Sequence, residues 1–290
     1  MTPCSLCPRR CGVRPGFCGV PETAFVCRAA PHFGEEPCIS GMRGSGAVFF
    51  AGCNLRCVFC QNHEISRGAA GRAVSVPQLR DIFLRLRDRG VHNLNLVTPT
   101  HYSDRIAEAL SGLDLGIPVV WNSSGYESVE TLRALEGLVQ VYMPDFKYAD
   151  AALAQRYSSA PDYPETALAA IREMYRQTGP FALDGDGILQ RGVLIRHLIL
   201  PGAAGSENTL RVIDAIEDHL QPKGVLFSLM AQYTPMPGVD GTKYPELTRR
   251  VTRAEYERCR SYLEFSEIEN GFWQELDSAT DEMIPEFDMT

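Results

Sequence analysis

The sequence predicts an α/β protein: a partial (β/α)6 barrel, TIM-like in its layering, with a Cys-rich N-terminal segment and a C-terminal extension. Three observations predict it. Six short apolar runs alternate with helix-period patterns between residues 45 and 235, which is the signature of a parallel sheet with helices outside it. Those six units take about 190 residues, whereas a closed barrel takes eight units and about 250 residues. Nine of the ten cysteines fall within the first 60 residues. The chain therefore divides into a Cys-rich leader (1–44), a barrel (45–235) and an extension (236–290).

The elements follow in order. Ala47–Phe50 is a strand ending at Gly52. Ser75, Pro77 and Gln78 form a capping box with Pro in the first turn of a helix whose apolar face is Leu79, Ile82, Phe83 and Leu86, and Gly90 ends it. Leu94–Val97 is the second strand. Ser103 caps a helix carrying Ile106, Ala109, Leu110 and Leu113. Ile117–Trp121 is the third strand, and a short helix with Leu132 and Leu135 follows. Val139–Met143 is the fourth, before helical patterns at 150–158 and 165–177. Val193–Leu200 is the fifth, ending at Pro201 and Gly202. Ser206 caps a helix with Leu210, Ile213, Ile216 and Leu220, and Gly224–Met230 is the sixth strand. Thr252 and Glu255 form a second capping box, whose helix puts Tyr256, Cys259 and Leu263 on one face. In such a fold the site gathers at the C-terminal ends of the strands.

Composition excludes several classes. At 290 residues and 44% hydrophobic, the chain can build a core and is not disordered. Its net charge of −8 argues against a general nucleic-acid binder. From Ser261 to Thr290 there are nine acids and no Lys or Arg, so the remainder carries +1. No apolar stretch is long enough to span a membrane, and the first residues lack the pattern of a signal peptide. The expected location is the cytoplasm, where ten cysteines point to metal or redox chemistry rather than disulfides.

Cys53, Cys57 and Cys60 follow the first strand directly, spaced C-x3-C-x2-C. Three thiolates on a [4Fe–4S] cubane leave one iron open. An amine and a carboxylate, as S-adenosylmethionine offers, can take that position. Zinc with a distant fourth ligand and a grouping of buried cysteines are the alternatives.

With Phe59 as its aromatic, C-x3-C-x-aromatic-C resembles the motif of the radical S-adenosylmethionine (radical SAM) superfamily. Cys57–Asn62 with Glu64–Ser66, and the lead-in His32–Pro37, resemble a narrower, uncharacterised group related to pyruvate formate-lyase activating enzymes. The resemblance implies reductive cleavage of S-adenosylmethionine to methionine and a 5′-deoxyadenosyl radical, which abstracts hydrogen from a substrate. It makes Cys53, Cys57 and Cys60 the catalytic cluster ligands. In the activating enzymes a Gly-Gly-Glu segment after the second strand meets the cofactor's amino group; here Val97–His101 stands there, with Thr98 or Thr100 as the substitute contact. Asn122 and Ser123, in Asn122–Gly125, resemble the relatives' Asp-Thr-Asn-Gly. Asp145 and Lys147 resemble their Asp-x-Lys, and point the same way from one strand end; a surface ion pair is the alternative. Arg196 resembles a cofactor-contacting arginine, and Gln232 stands where some relatives carry His. Phe59 completes the expected cofactor-binding set. His197 alternates to the other strand face and reads as a core histidine.

Cys4, Cys7, Cys11 and Cys18 form a second constellation among turn-forming Pro and Gly. A metal orders such a segment most simply, as zinc or as a second iron–sulfur cluster; free thiols are the alternative. Cys27 and Cys38 read as non-ligands, and Cys259 as a buried core residue. The tail, with Phe272, Trp273 and Phe287, closes over the open side of the barrel or is solvated.

The implied function is activation of a glycyl radical enzyme by hydrogen abstraction from glycine, with flavodoxin or ferredoxin as electron donor and neither nucleic acid nor membrane as partner. The alternatives are a radical enzyme modifying a small molecule or peptide side chain, and a non-enzymatic zinc-dependent binding module.

Overall fold

The computed structural model describes residues 4–68 and 70–276. After turns, β1 (Ala24–His32) leads to a one-turn helix, α1 (Pro37–Ser40), and to β2 (Ser45–Phe50). Then come β3 (Arg72–Val74), α2 (Val76–Asp88), β4 (Leu94–Val97), α3 (Ser103–Leu110), β5 (Val119–Ser123), α4 (Val129–Ala134) and β6 (Val141–Pro144). Next are α5 (Ala151–Ser158), α6 (Tyr163–Thr178), β7 (Ala182–Leu183), β8 (Leu189–Leu198) and α7 (Ala203–His219). β9 (Leu226–Met230), α8 (Arg253–Glu264) and β10 (Gly271–Trp273) follow.

The strand order is β10-β9-β8-β6-β5-β4-β2-β1-β3, with β7 beside β8. The six strands from β2 to β9 on this path pair in parallel, and they are the six apolar runs of the sequence. Among the described residues the end strands β10 and β3 do not pair with each other, so the sheet is open.

Four strands are additions to the expected set. β1 runs antiparallel to β2, β3 antiparallel to β1, and β7 antiparallel to β8. β10 pairs in parallel with β9, so Phe272 and Trp273 extend the sheet edge. Phe287 and the acids from Asp277 onward lie outside the described residues. Residues 24–44, grouped with the leader by cysteine content, supply β1 and α1.

Two helix starts differ from expectation. Ser103 lies inside α3 with no cap bond, after a tight turn at Thr100–Tyr102. Ser206 lies within α7, which begins at Ala203; its hydroxyl donates back to the Gly202 carbonyl at 3.4 Å, the alternative use of a helical serine. The capping boxes at Ser75 and Thr252 form as expected.

Alternation along the strands sorts side chains onto two faces. Trp121, Tyr142 and Ile195 face the helices in the main core. Val120, Val141, Met143 and Leu194 face inward, and Cys38 and Ile39 of α1 complete this smaller cluster. α1 is thus a plug within the curved sheet, held by Asn93, whose side-chain amide donates to the Ile39 carbonyl at 2.7 Å. Cys27 and Cys259 are buried in the main core.

The plug makes a testable claim on stability. Ile39 is fully buried while Met42 is 94% exposed. Ile39→Ala is expected to cost about 2–5 kcal/mol in denaturant unfolding, and Met42→Ala under about 0.5 kcal/mol.

Candidate active site

Cys53, Cys57 and Cys60 lie in an irregular loop between β2 and β3. Gly52 turns the chain into it at φ +79°, where a Cβ would stand 2.6 Å from Val20 and 2.8 Å from the Cys18 carbonyl. Only glycine fits there. Cys57 Sγ accepts from Ser158 Oγ at 3.0 Å, and Ser158 is bonded in turn to the Tyr148 hydroxyl at 2.8 Å.

All three thiols open onto one cavity at the C-terminal ends of the parallel strands. Phe59, Thr98, Asn122, Ser123, Asp145, Lys147, Arg196 and Gln232 line the same cavity. The fold thus brings together all eleven residues proposed for the cluster and the cofactor. Cys4, Cys7, Cys11 and Cys18 are not among its lining residues. Among the described residues no three Cys, His, Asp or Glu groups stand as a single metal ion requires. The three cysteines fit an iron–sulfur cluster by donor type and by their shared cavity. Burial pushes Cys60 up to about 12, and the Cys57 and Cys53 thiolates add to it while Lys147 opposes it.

The polar wall is an ion-pair network. Lys147 Nζ donates to Asp145 at 2.6 Å, and Arg196 Nε donates to the other Asp145 oxygen at 3.1 Å. These side chains are only 14–21% exposed, so the pair is not a surface one. Burial works against the Asp145 carboxylate, but Lys147 and Arg196 outweigh it and hold its pKa below the usual value. Burial likewise opposes the charge on Lys147, and Asp145 and Cys57 raise its pKa above the ordinary lysine range.

The sequence assigns Glu35 no role; its signals are the adjacent acids before Pro37 and its place in the lead-in segment His32–Pro37. Its side chain is 10% exposed and meets Arg196 Nη1 at 2.9 Å. Its other oxygen accepts from Asn95 and Asn122, each at 3.0 Å. Arg196 Nη2 also donates to Asn122 at 2.8 Å. Glu35 enters the cavity because α1 carries the preceding loop inside the sheet.

The remaining walls follow from packing. Phe59 stands edge-on to Tyr148, Tyr157 and Tyr233, with ring centroids 6.1–6.5 Å apart, an apolar side that excludes water. Gln232 accepts from Gln274 at 3.0 Å, which ties β9 to the extension. Gly125, at φ +74°, lets the Asn122–Gly125 turn lie on the Asp145 carbonyl, 2.2 Å from where a Cβ would be. Thr100 turns away from the cavity and donates to buried Glu127 at 2.7 Å. His197 is a core histidine: Nδ1 donates to the Phe146 carbonyl at 2.7 Å and Nε2 accepts from Thr209 at 2.9 Å. Burial lowers its pKa to about 4.

Comparison with known proteins agrees with this geometry. The sequence profile of the radical SAM superfamily matches residues 47–184. The chain is 31% identical over 280 residues to an uncharacterized protein of Methanocaldococcus jannaschii, covering 92% of this chain and 75% of that relative. It is similar in structure to SuiB of Streptococcus suis, with a TM-score of 0.51 at 16% identity, over 82% of this chain and 51% of SuiB. The chain thus spans about half of SuiB, and at that identity the likeness shows the fold.

Thr98 takes φ +58°, a left-handed conformation that costs a β-branched residue about 1–2 kcal/mol. Thr98→Gly is expected to raise stability by about 0.5–1 kcal/mol in denaturant unfolding. A loss of stability would show that the threonine side chain makes compensating contacts.

Proposed function

This chain belongs to the radical SAM superfamily, and we propose that it holds a [4Fe–4S] cluster on Cys53, Cys57 and Cys60 and binds S-adenosylmethionine in the adjoining cavity. When bound, the cluster and cofactor supply a 5′-deoxyadenosyl radical by one-electron reductive cleavage. The chain's own residues do the positioning. The Cys53, Cys57 and Cys60 thiolates would hold the cluster at the mouth of the cavity. Asp145, Lys147 and Arg196 receive the charged methionyl end, where a buried ionic contact is strong and directional. Asn122, Ser123, Thr98 and Gln232 line the rest of the cavity, and Phe59 with its three tyrosines keeps water from it. The observation that carries this reading is that all eleven residues line one cavity at the strand ends.

For the substrate we propose the backbone glycine of a glycyl radical enzyme, with flavodoxin or ferredoxin as reductant. The Asn122–Gly125, Asp145–Lys147 and Arg196 similarities support it. The Thr98–Thr100 segment supports a second reading, modification of a small molecule or a peptide side chain, because its Thr100 hydroxyl is spent on Glu127 rather than offered to the cofactor. For the leader we propose a second thiophilic centre, zinc or iron–sulfur, on Cys4, Cys7, Cys11 and Cys18. No described helix is long and apolar enough to cross a membrane.

Replacing Cys53, Cys57 and Cys60 together by Ala is expected to remove the site's iron, sulfide and absorbance, and all 5′-deoxyadenosine release after anaerobic reduction. A triple variant that still cleaves the cofactor contradicts the assignment, and zinc without sulfide in the wild type revives the binding-module reading. Asp145→Asn is expected to weaken S-adenosylmethionine binding about tenfold to a hundredfold, the loss of one charged hydrogen bond, with iron content unchanged. A glycyl radical signal, generated on a candidate partner by the reduced protein, separates the first substrate reading from the second.

A further inference from the structure

The leader thiols stand beside the cluster loop without entering its cavity. They lie in residues 4–21, which contain no helix or strand. All four are free thiols, and Cys7 is buried. Cys11 Sγ accepts from the Phe17 backbone N–H at 3.3 Å. Gly16 packs so closely that a Cβ would be 2.9 Å from that sulfur. The position of Cys11 therefore sets the position of Phe17.

Phe17 in turn holds two arginines. The Arg9 guanidinium lies 4.0 Å from the ring centroid and that of Arg56 lies 5.0 Å away, within the range of cation–π attraction. Arg9 stands between Cys7 and Cys11 in the chain, and Arg56 between Cys53 and Cys57. The Arg9 head spends its donors on the cluster loop and its support. Nε donates to the Asn54 carbonyl at 2.9 Å, Nη1 to Ser159 at 2.6 Å and Nη2 to Ser158 at 3.0 Å. Ser158 is the residue whose hydroxyl donates to Cys57. Direct contacts thus run from Cys11 through Phe17 and Arg9 to Asn54 within the loop and to Ser158, the residue that supports Cys57.

We propose that the leader and the cluster loop are one coupled unit, in which a metal centre on Cys4, Cys7, Cys11 and Cys18 fixes Phe17 and Arg9 and through them the loop carrying Cys53, Cys57 and Cys60. The inference rests on the reading that the leader holds a metal. Without ligation, a turn-rich segment of this kind has little burial to offset its chain entropy. The clamp then loosens, and the loop loses the bond from Arg9 to the Asn54 carbonyl. The coupling is reciprocal by linkage.

The test uses the Cys53→Ala, Cys57→Ala, Cys60→Ala variant of the full chain, in which the leader is the remaining cysteine-rich site. Metal analysis of the anaerobically purified variant comes first, then hydrogen exchange of peptides covering 53–60 with and without a chelator that strips the metal. The expected result is bound metal, and at least tenfold faster exchange at 53–60 after stripping, with β4 to β6 unchanged. Arg9→Ala, with the leader metal retained, is expected to speed the same peptides similarly, and Arg9→Lys to restore part of the protection. No metal in the triple variant overturns the reading of the leader and the inference with it. Metal present, with exchange at 53–60 unmoved by stripping, overturns the coupling alone. Faster exchange throughout β4 to β6 also overturns it, because the leader would then support the whole fold rather than this loop.

Discussion

The carboxylate of Glu35 is the contact on which the site's architecture depends. It stands inside an open sheet and accepts from Asn95 on β4, Asn122 on β5 and Arg196 on β8. β8 is not a neighbour of β5; β6 lies between them. Ladders fix the spacing of neighbouring strands, but an open barrel has no closing ladder to fix its curvature, and inward side chains that bridge non-neighbouring strands hold it. Arg196 passes the constraint to Asp145, and Asp145 to Lys147. Removing one member of such a low-exposure network leaves charges without partners, which typically costs about 3–5 kcal/mol.

That constraint explains the layering of the interior. At the bottom the plug helix and inward apolar side chains make a dry floor. Above it lies the polar layer centred on Glu35 and Arg196. Above that the three cysteines and Phe59 face the same cavity. Ionic groups in the middle layer meet their partners at low exposure, so a charged cofactor entering the cavity exchanges water for preorganised charges rather than for apolar walls. The scaffold below thus shapes the cavity wall, while Arg9 of the leader contacts the loop that carries the cysteines.

The sequence made the six parallel strands legible because strands buried on both faces read as continuous apolar runs. The cavity residues were legible for a related reason: they sit at strand ends or at fixed spacing from one another. Other features left no local pattern. β1 shows no clean alternation in Ala24–His32, and α1 is only four residues long. The role of Glu35 was invisible because two adjacent acids before a proline carry no period. Ser206 looks like a cap, yet a serine in a helix can equally bond back to the preceding turn, and Ser103 looks like one although its buried hydroxyl caps nothing. Arg9 meets carbonyls 45 and about 150 residues away in the chain, and such long-range contacts have no signature in a window of sequence.

The central claim is that Glu35, though no part of the cluster motif, holds the cofactor wall in shape. The most direct measurement is the S-adenosylmethionine dissociation constant of Glu35→Ala, determined anaerobically on protein loaded with iron and sulfide to the wild-type level. The account predicts binding at least tenfold weaker than wild type with an unchanged cluster spectrum, partly recovered in Glu35→Gln, which keeps one acceptor for Arg196. Wild-type affinity in Glu35→Ala would contradict it.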